Sequence, residues 1–136
     1  MKRFFLFLLV SAAFIPLFQG CQPAITEPEN GWITYEVRDG LNYSEAWMIV
    51  TDALLTRGYQ FETLVKDDGY MKTEYYHETV ESLGVEVKTR ISVKFTYSRR
   101  TVRVKVDEEY IIGYKEPGTD IPRVADLKVE LRDRLL

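Results

Sequence analysis

From Val85 to Tyr97 the chain alternates: Val85, Val87, Ile91, Val93, Phe95 and Tyr97 fall on one side, and Glu86, Lys88, Arg90, Ser92, Lys94 and Thr96 on the other. Strand side chains alternate with a period of two, so this stretch must bury one face and wet the other. Ser98-Arg99-Arg100 then turns the chain into Thr101 to Tyr110, where Val102, Val104 and Val106 alternate with Arg103, Lys105 and Asp107. Two such strands in sequence make a long antiparallel hairpin, and its apolar face needs a cover.

An amphipathic helix upstream can supply that cover. Ala46, Ile49, Val50, Ala53 and Leu54 recur at helical spacing, with Trp47 at the border of the stripe. Asn42 or Ser44 can cap its start, with Glu45 in the capping-box relation to Asn42, and Gly58 sits where a left-handed C-terminal cap is wanted. A second, shorter helix is predicted at the carboxy terminus. There Val124, Leu127, Leu131 and Leu135 share one face, Pro122 lies in the first turn and Asp120 is a candidate cap.

The remaining strands are Trp32 to Val37, ended by Asp39-Gly40, then Tyr59 to Val65 and Tyr70 to Tyr76, joined through Lys66-Asp67-Asp68-Gly69. The order strand, helix, two strands, two strands, helix predicts an α+β domain. It has an antiparallel sheet of about five strands, one long helix packed on a face and the shorter helix at the end, helix-grip-like.

Ahead of this domain, residues 1 to 21 read MKRFFLFLLVSAAFIPLFQGC. Lys2 and Arg3 give a positive start, Phe4 to Phe18 is uncharged and apolar, and Gly20 precedes Cys21, the only cysteine. A membrane-spanning anchor needs about 20 apolar residues, and this run is shorter and interrupted by Pro16. Cleavage by the ordinary signal peptidase would leave Cys21 an unpaired thiol in an oxidising compartment. The Phe18-Gln19-Gly20-Cys21 box resembles the lipobox of bacterial lipoproteins, in the looser form of the Bacteroidetes type. That resemblance implies a leader over 1–20, removed before Cys21, and a diacylglycerol on the Cys21 thiol. Gln22 to Gly31, with two prolines and two acids, reads as a tether, so that 21–31 links lipid to a single domain over 32–136.

The stretch from Ala46-Trp47 to Tyr76, a tryptophan-bearing helix ending at a glycine and followed by an acidic turn and a strand, resembles small periplasmic lipoprotein domains of helix-grip type. The repeat of the C component of the bacterial β-barrel assembly machinery is the example nearest in pattern. The likeness covers about 30 residues and implies fold rather than role.

Few chemistries can be built from this composition. With 18 Lys and Arg against 21 Asp and Glu, and Lys2 and Arg3 in the leader, the domain has the wrong sign for general nucleic-acid binding. His77 is the sole histidine and Cys21 is expected to carry the lipid, so neither a histidine-rich metal site nor a Cys-His pair is expected. A hydrolytic triad would have to use His77. Asp67-Asp68 reads as turn chemistry and Asp107-Glu108-Glu109 as a strand end. No phosphate loop or dinucleotide fingerprint is present, and no cofactor is expected.

The expectation is therefore a non-enzymatic, lipid-anchored cell-envelope protein, tilted to the outer membrane because Gln22 rather than aspartate follows the cysteine. It would hold the membrane through Cys21 and bind an envelope protein partner through the basic and aromatic residues Arg90, Lys94, Tyr97, Arg99, Arg100 and Arg103. The same charges would also suit an ordinary solvated strand face. An alternative is a carrier of a small apolar ligand, held between helix and sheet in a cavity lined by Trp47, Phe61, Tyr75 and Phe95.

Overall fold

The computed structural model describes residues 31–136, so the expected leader over 1–20, Cys21 and the expected tether up to Asn30 lie outside the described residues. The chain runs β1 (Trp32–Glu36), α1 (Tyr43–Thr56), β2 (Phe61–Val65), β3 (Tyr70–Thr73), β4 (Tyr76–Val80), β5 (Val85–Phe95), β6 (Thr101–Ile112) and α2 (Pro122–Leu135). All pairings are antiparallel, in the order β1-β6-β5-β3-β2, with β4 paired to the far half of β5. The domain is α+β, with both helices on one face of the sheet.

The β5–β6 hairpin forms as its alternation requires. Val85, Val87, Thr89, Ile91, Val93 and Phe95 are buried, and Val102 and Val104 lie beside them on β6. Over this face α1 lays Ala46, Trp47, Val50, Ala53 and Leu54, and α2 lays Val124, Leu127, Leu131 and Leu135. Burying each of the larger side chains contributes about 1.5–3 kcal/mol. Asn42 caps α1 with a complete capping box: its side chain accepts from the Glu45 amide and its own amide donates to the Glu45 carboxylate, both at 2.9 Å. Gly58, at φ +83°, follows the helix in the left-handed conformation that ends it.

α2 is as long as α1, at 14 residues, and is capped differently from expectation. Ile121 holds the N-cap position without a side-chain bond, Pro122 opens the first turn, and Asp120 instead receives the Lys128 ammonium at 2.7 Å. Ile121 is fully buried, so this helix start is fixed by apolar packing against Val80, Val85 and Val87. Arg123 pins the same end to β4, donating to Glu78 at 3.0 Å and lying 4.0 Å over the Tyr76 ring.

The strand read from Tyr70 to Tyr76 is two strands. β3 pairs Tyr70 with Lys94 and Lys72 with Ser92, whereas β4 pairs Tyr76 with Thr89 and His77 with Lys88, so one extra residue is inserted between them. The insertion inverts the alternation: Met71 and Thr73 point to the helices before it, and Tyr76, Glu78 and Val80 after it. Thr73 stabilises the break, because its buried hydroxyl accepts the Ile91 amide at 3.0 Å where a continuous strand would offer a carbonyl. Tyr59, expected at the head of β2, lies before that strand. It is fully buried and its hydroxyl bonds Thr89 at 2.9 Å.

Candidate binding surface

Both helices occupy one face, and the other face of the sheet is uncovered among the described residues. Strand register sets its side chains in rows. One row runs Thr34, Arg103, Lys94, Tyr70 and Val65 across β1, β6, β5, β3 and β2; the next runs Trp32, Lys105, Ser92, Lys72 and Thr63. Four cations thus surround Ser92, which is itself only 7% exposed beneath them.

Acids at the margin take two of these cations. Lys72 pairs with Glu62 at 3.0 Å and Lys105 with Asp107 at 3.4 Å, and Asp107 also receives Arg90 at 3.5 Å. Arg103 and Lys94 sit directly opposite one another, and among the described residues neither has a carboxylate within 4.0 Å. Like charges directly opposed on a sheet destabilise it. Arg103 is held in place by stacking over the Trp32 ring, 5.4 Å from its centroid, and Arg90 lies 4.5 Å over Tyr75. The surface is therefore basic in its centre and aromatic at its flanks, and its cations stand on paired strands.

Of the six residues singled out for partner binding, Arg90, Lys94 and Arg103 share this face. Tyr97 does not continue the buried side of β5, which ends at Phe95; it stands in the hairpin turn, completely exposed. Arg99, at φ +61°, folds back to the helix side. Its guanidinium lies 4.6 Å over the Tyr43 ring and donates to the Asp67 carbonyl. Arg100 reaches Asp39 in an ion pair. Trp32, Tyr70 and Lys72 belong to the surface but were not singled out. Period-two alternation sets Lys105 on the side of Arg103, whereas Trp32 joins only through the long-range β1–β6 pairing.

Of the four residues expected to line a ligand cavity, Trp47, Phe61 and Phe95 share one core and Tyr75 does not join them. Trp47 and Phe95 are buried in mutual contact, with ring centroids 5.8 Å apart and the Tyr43 ring edge-on to both. Phe61 packs at the edge of this core. Tyr75 lies on the opposite face, turned there by the residue inserted between β3 and β4. That insertion exchanges Tyr76 for Tyr75 beneath the helices.

His77 is half-exposed on the uncovered face, with Nε2 2.6 Å from the Glu86 carboxylate across the strand pair. Among the described residues no group of three or more His, Cys, Asp and Glu is placed to hold a metal ion, and no helix is long and apolar enough to cross a membrane.

No family model and no curated protein matches the chain. Among solved structures it is similar to the adenylate sensor from AMP-activated protein kinase in complex with 5-aminoimidazole-4-carboxamide 1-beta-D-ribofuranotide (ZMP). The likeness has a TM-score of 0.40 at 16% identity, over 75% of this chain and 92% of that one. So slight a likeness carries no functional inference.

Proposed function

We propose that the chain is a non-enzymatic, lipid-anchored protein of the cell envelope, held to the outer membrane through Cys21, whose domain binds an anionic region of another envelope protein on its uncovered sheet face. The observation that carries the binding role is the opposition of Arg103 and Lys94, two cations on adjacent strands with no nearby carboxylate among the described residues. An incoming anionic group would relieve that repulsion, and Trp32 and Tyr70 beside it supply amphipathic contact area. The address rests on the leader and on the solitary Cys21. Direct packing of Trp47 on Phe95, with Tyr75 turned to the opposite face of the sheet, speaks against the carrier alternative.

The anchor is tested by the intact mass of membrane-extracted protein beside a Cys21→Ala variant. A chain that begins at Cys21 and carries acyl mass is expected, and an unmodified chain would refute anchoring. The binding face is tested in cells with a photo-cross-linking residue at Thr34, in the row with Arg103, and at Met48, exposed on α1. Adducts from position 34 that vanish on Lys94→Glu/Arg103→Glu replacement are expected. Equal adducts from both positions, insensitive to the charge change, would refute it.

A further inference from the structure

β6 outruns its outer neighbour. β1 pairs only with Thr101 to Lys105, whereas β6 continues to Ile112 with β5 bonded along its other side. Residues Val106 to Tyr110 therefore present a strand edge. Among the described residues, no backbone hydrogen bond from beyond the β5–β6 pair reaches them. A row of unpaired N–H and C=O groups on a regular strand is a template for an added strand.

Two occupants are disfavoured on chemical grounds. Extending the β1 register backwards would set Pro28, which has no N–H, opposite Glu109 and would set Glu29 opposite Glu108; moreover Gly31, at φ +78°, turns the chain just before β1. A second copy pairing antiparallel about Glu108 would bring Asp107 against Glu109, like charge on like.

The edge has a definite chemical pattern. On the uncovered face Asp107 is already bridged by Arg90 and Lys105, while Glu109 is exposed, faces Lys88 across the β5–β6 register and has no cation within 4.0 Å among the described residues. On the helix face stand Val106 and Tyr110, with Glu108 between them paired to Lys115 at 2.9 Å. Just past Tyr110, Ile111, Ile112 and Tyr114 are exposed. Tyr114 and Leu83 line a groove of about 500 Å³.

We propose that the edge Val106 to Tyr110 accepts an extended strand of another protein in which basic and apolar residues alternate, its basic side chains meeting Glu109 and its apolar ones Val106 and Tyr110. This site is distinct from the Arg103–Lys94 surface and opposite to it in charge preference, and it does not depend on lipidation of Cys21.

Hydrogen exchange of the full chain, resolved by residue, tests it with three synthetic six-residue peptides: alternating Lys and Val, three Lys followed by three Val, and alternating Glu and Val. The alternating Lys peptide is expected to slow the edge-facing amides within 106–110 about ten-fold, the other two leaving them unchanged. Glu109→Lys is expected to transfer the protection to the Glu peptide, while the amides of β5 exchange as before. Edge amides already slow in the free chain, or equal effects of all three peptides, or no response to Glu109→Lys would each overturn the proposal.

Discussion

Lys94 and Arg103 are register partners across the β5–β6 pair, two cations facing each other on an uncovered sheet, and Trp32 stacked against Arg103 fixes one of them in place. An opposed like-charge pair is tolerated at some cost, and removing the conflict should stabilise the free domain. Lys94→Glu is therefore expected to raise the urea midpoint, by about 0.2–1 kcal/mol in unfolding free energy, because an attractive pair replaces a repulsive one. An unchanged or lowered midpoint would mean that the two side chains do not repel in solution.

The break between β3 and β4 depends on one hydroxyl. Thr73→Val keeps the volume and removes the acceptor of the buried Ile91 amide, so a loss of about 1–3 kcal/mol is expected in chemical denaturation. A cost near zero would show that another group satisfies that amide.

Capping of α1 is local and separable from the sheet. Asn42→Ala removes the acceptor for the Glu45 amide and is expected to cost about 1 kcal/mol, whereas Asn42→Asp should retain most of the stability.

The two helices are joined by a charge cluster that responds to acid. Glu130 on α2 receives Arg134 at 2.7 Å and also Arg57 from the end of α1, while Arg134 reaches Asp52 of α1 at 2.9 Å. Hydrogen bonds from Arg134 and then Arg57 hold the Glu130 carboxyl below its ordinary range. A carboxyl whose folded value is depressed adds stability that is present above its unfolded value and lost as pH falls through the folded one. Unfolding midpoints of Glu130→Gln followed below about pH 5 should accordingly fall less steeply than those of the parent chain. Parallel curves for the two proteins would exclude Glu130 as a contributor.

Much of the fold was legible because its signals are local. The period-two run through Val85 to Phe95 gave the central hairpin, the Asn42–Glu45 box gave the start of α1, and the spacing of Val124, Leu127, Leu131 and Leu135 gave the buried face of α2. Alternation counted forward from Met71 points the Tyr75 side chain inward. One inserted residue, stabilised by a tertiary hydrogen bond, reverses the count. Tyr97 leaves the alternation because the strand ends two residues earlier, at the turn. The binding surface was half legible for a similar reason: Lys94 and Arg103 follow from hairpin alternation, while Trp32 reaches them from about seventy residues away, and Arg99 and Arg100 are drawn off by Tyr43 and Asp39.

The binding role of the uncovered face is tested most directly by comparing partner capture by the parent chain and by Lys94→Glu/Arg103→Glu in the native membrane, under in-cell cross-linking at equal protein levels. Loss of a specific adduct in a variant that remains folded is the expected result. An adduct of undiminished yield in the charge-reversed chain would contradict it.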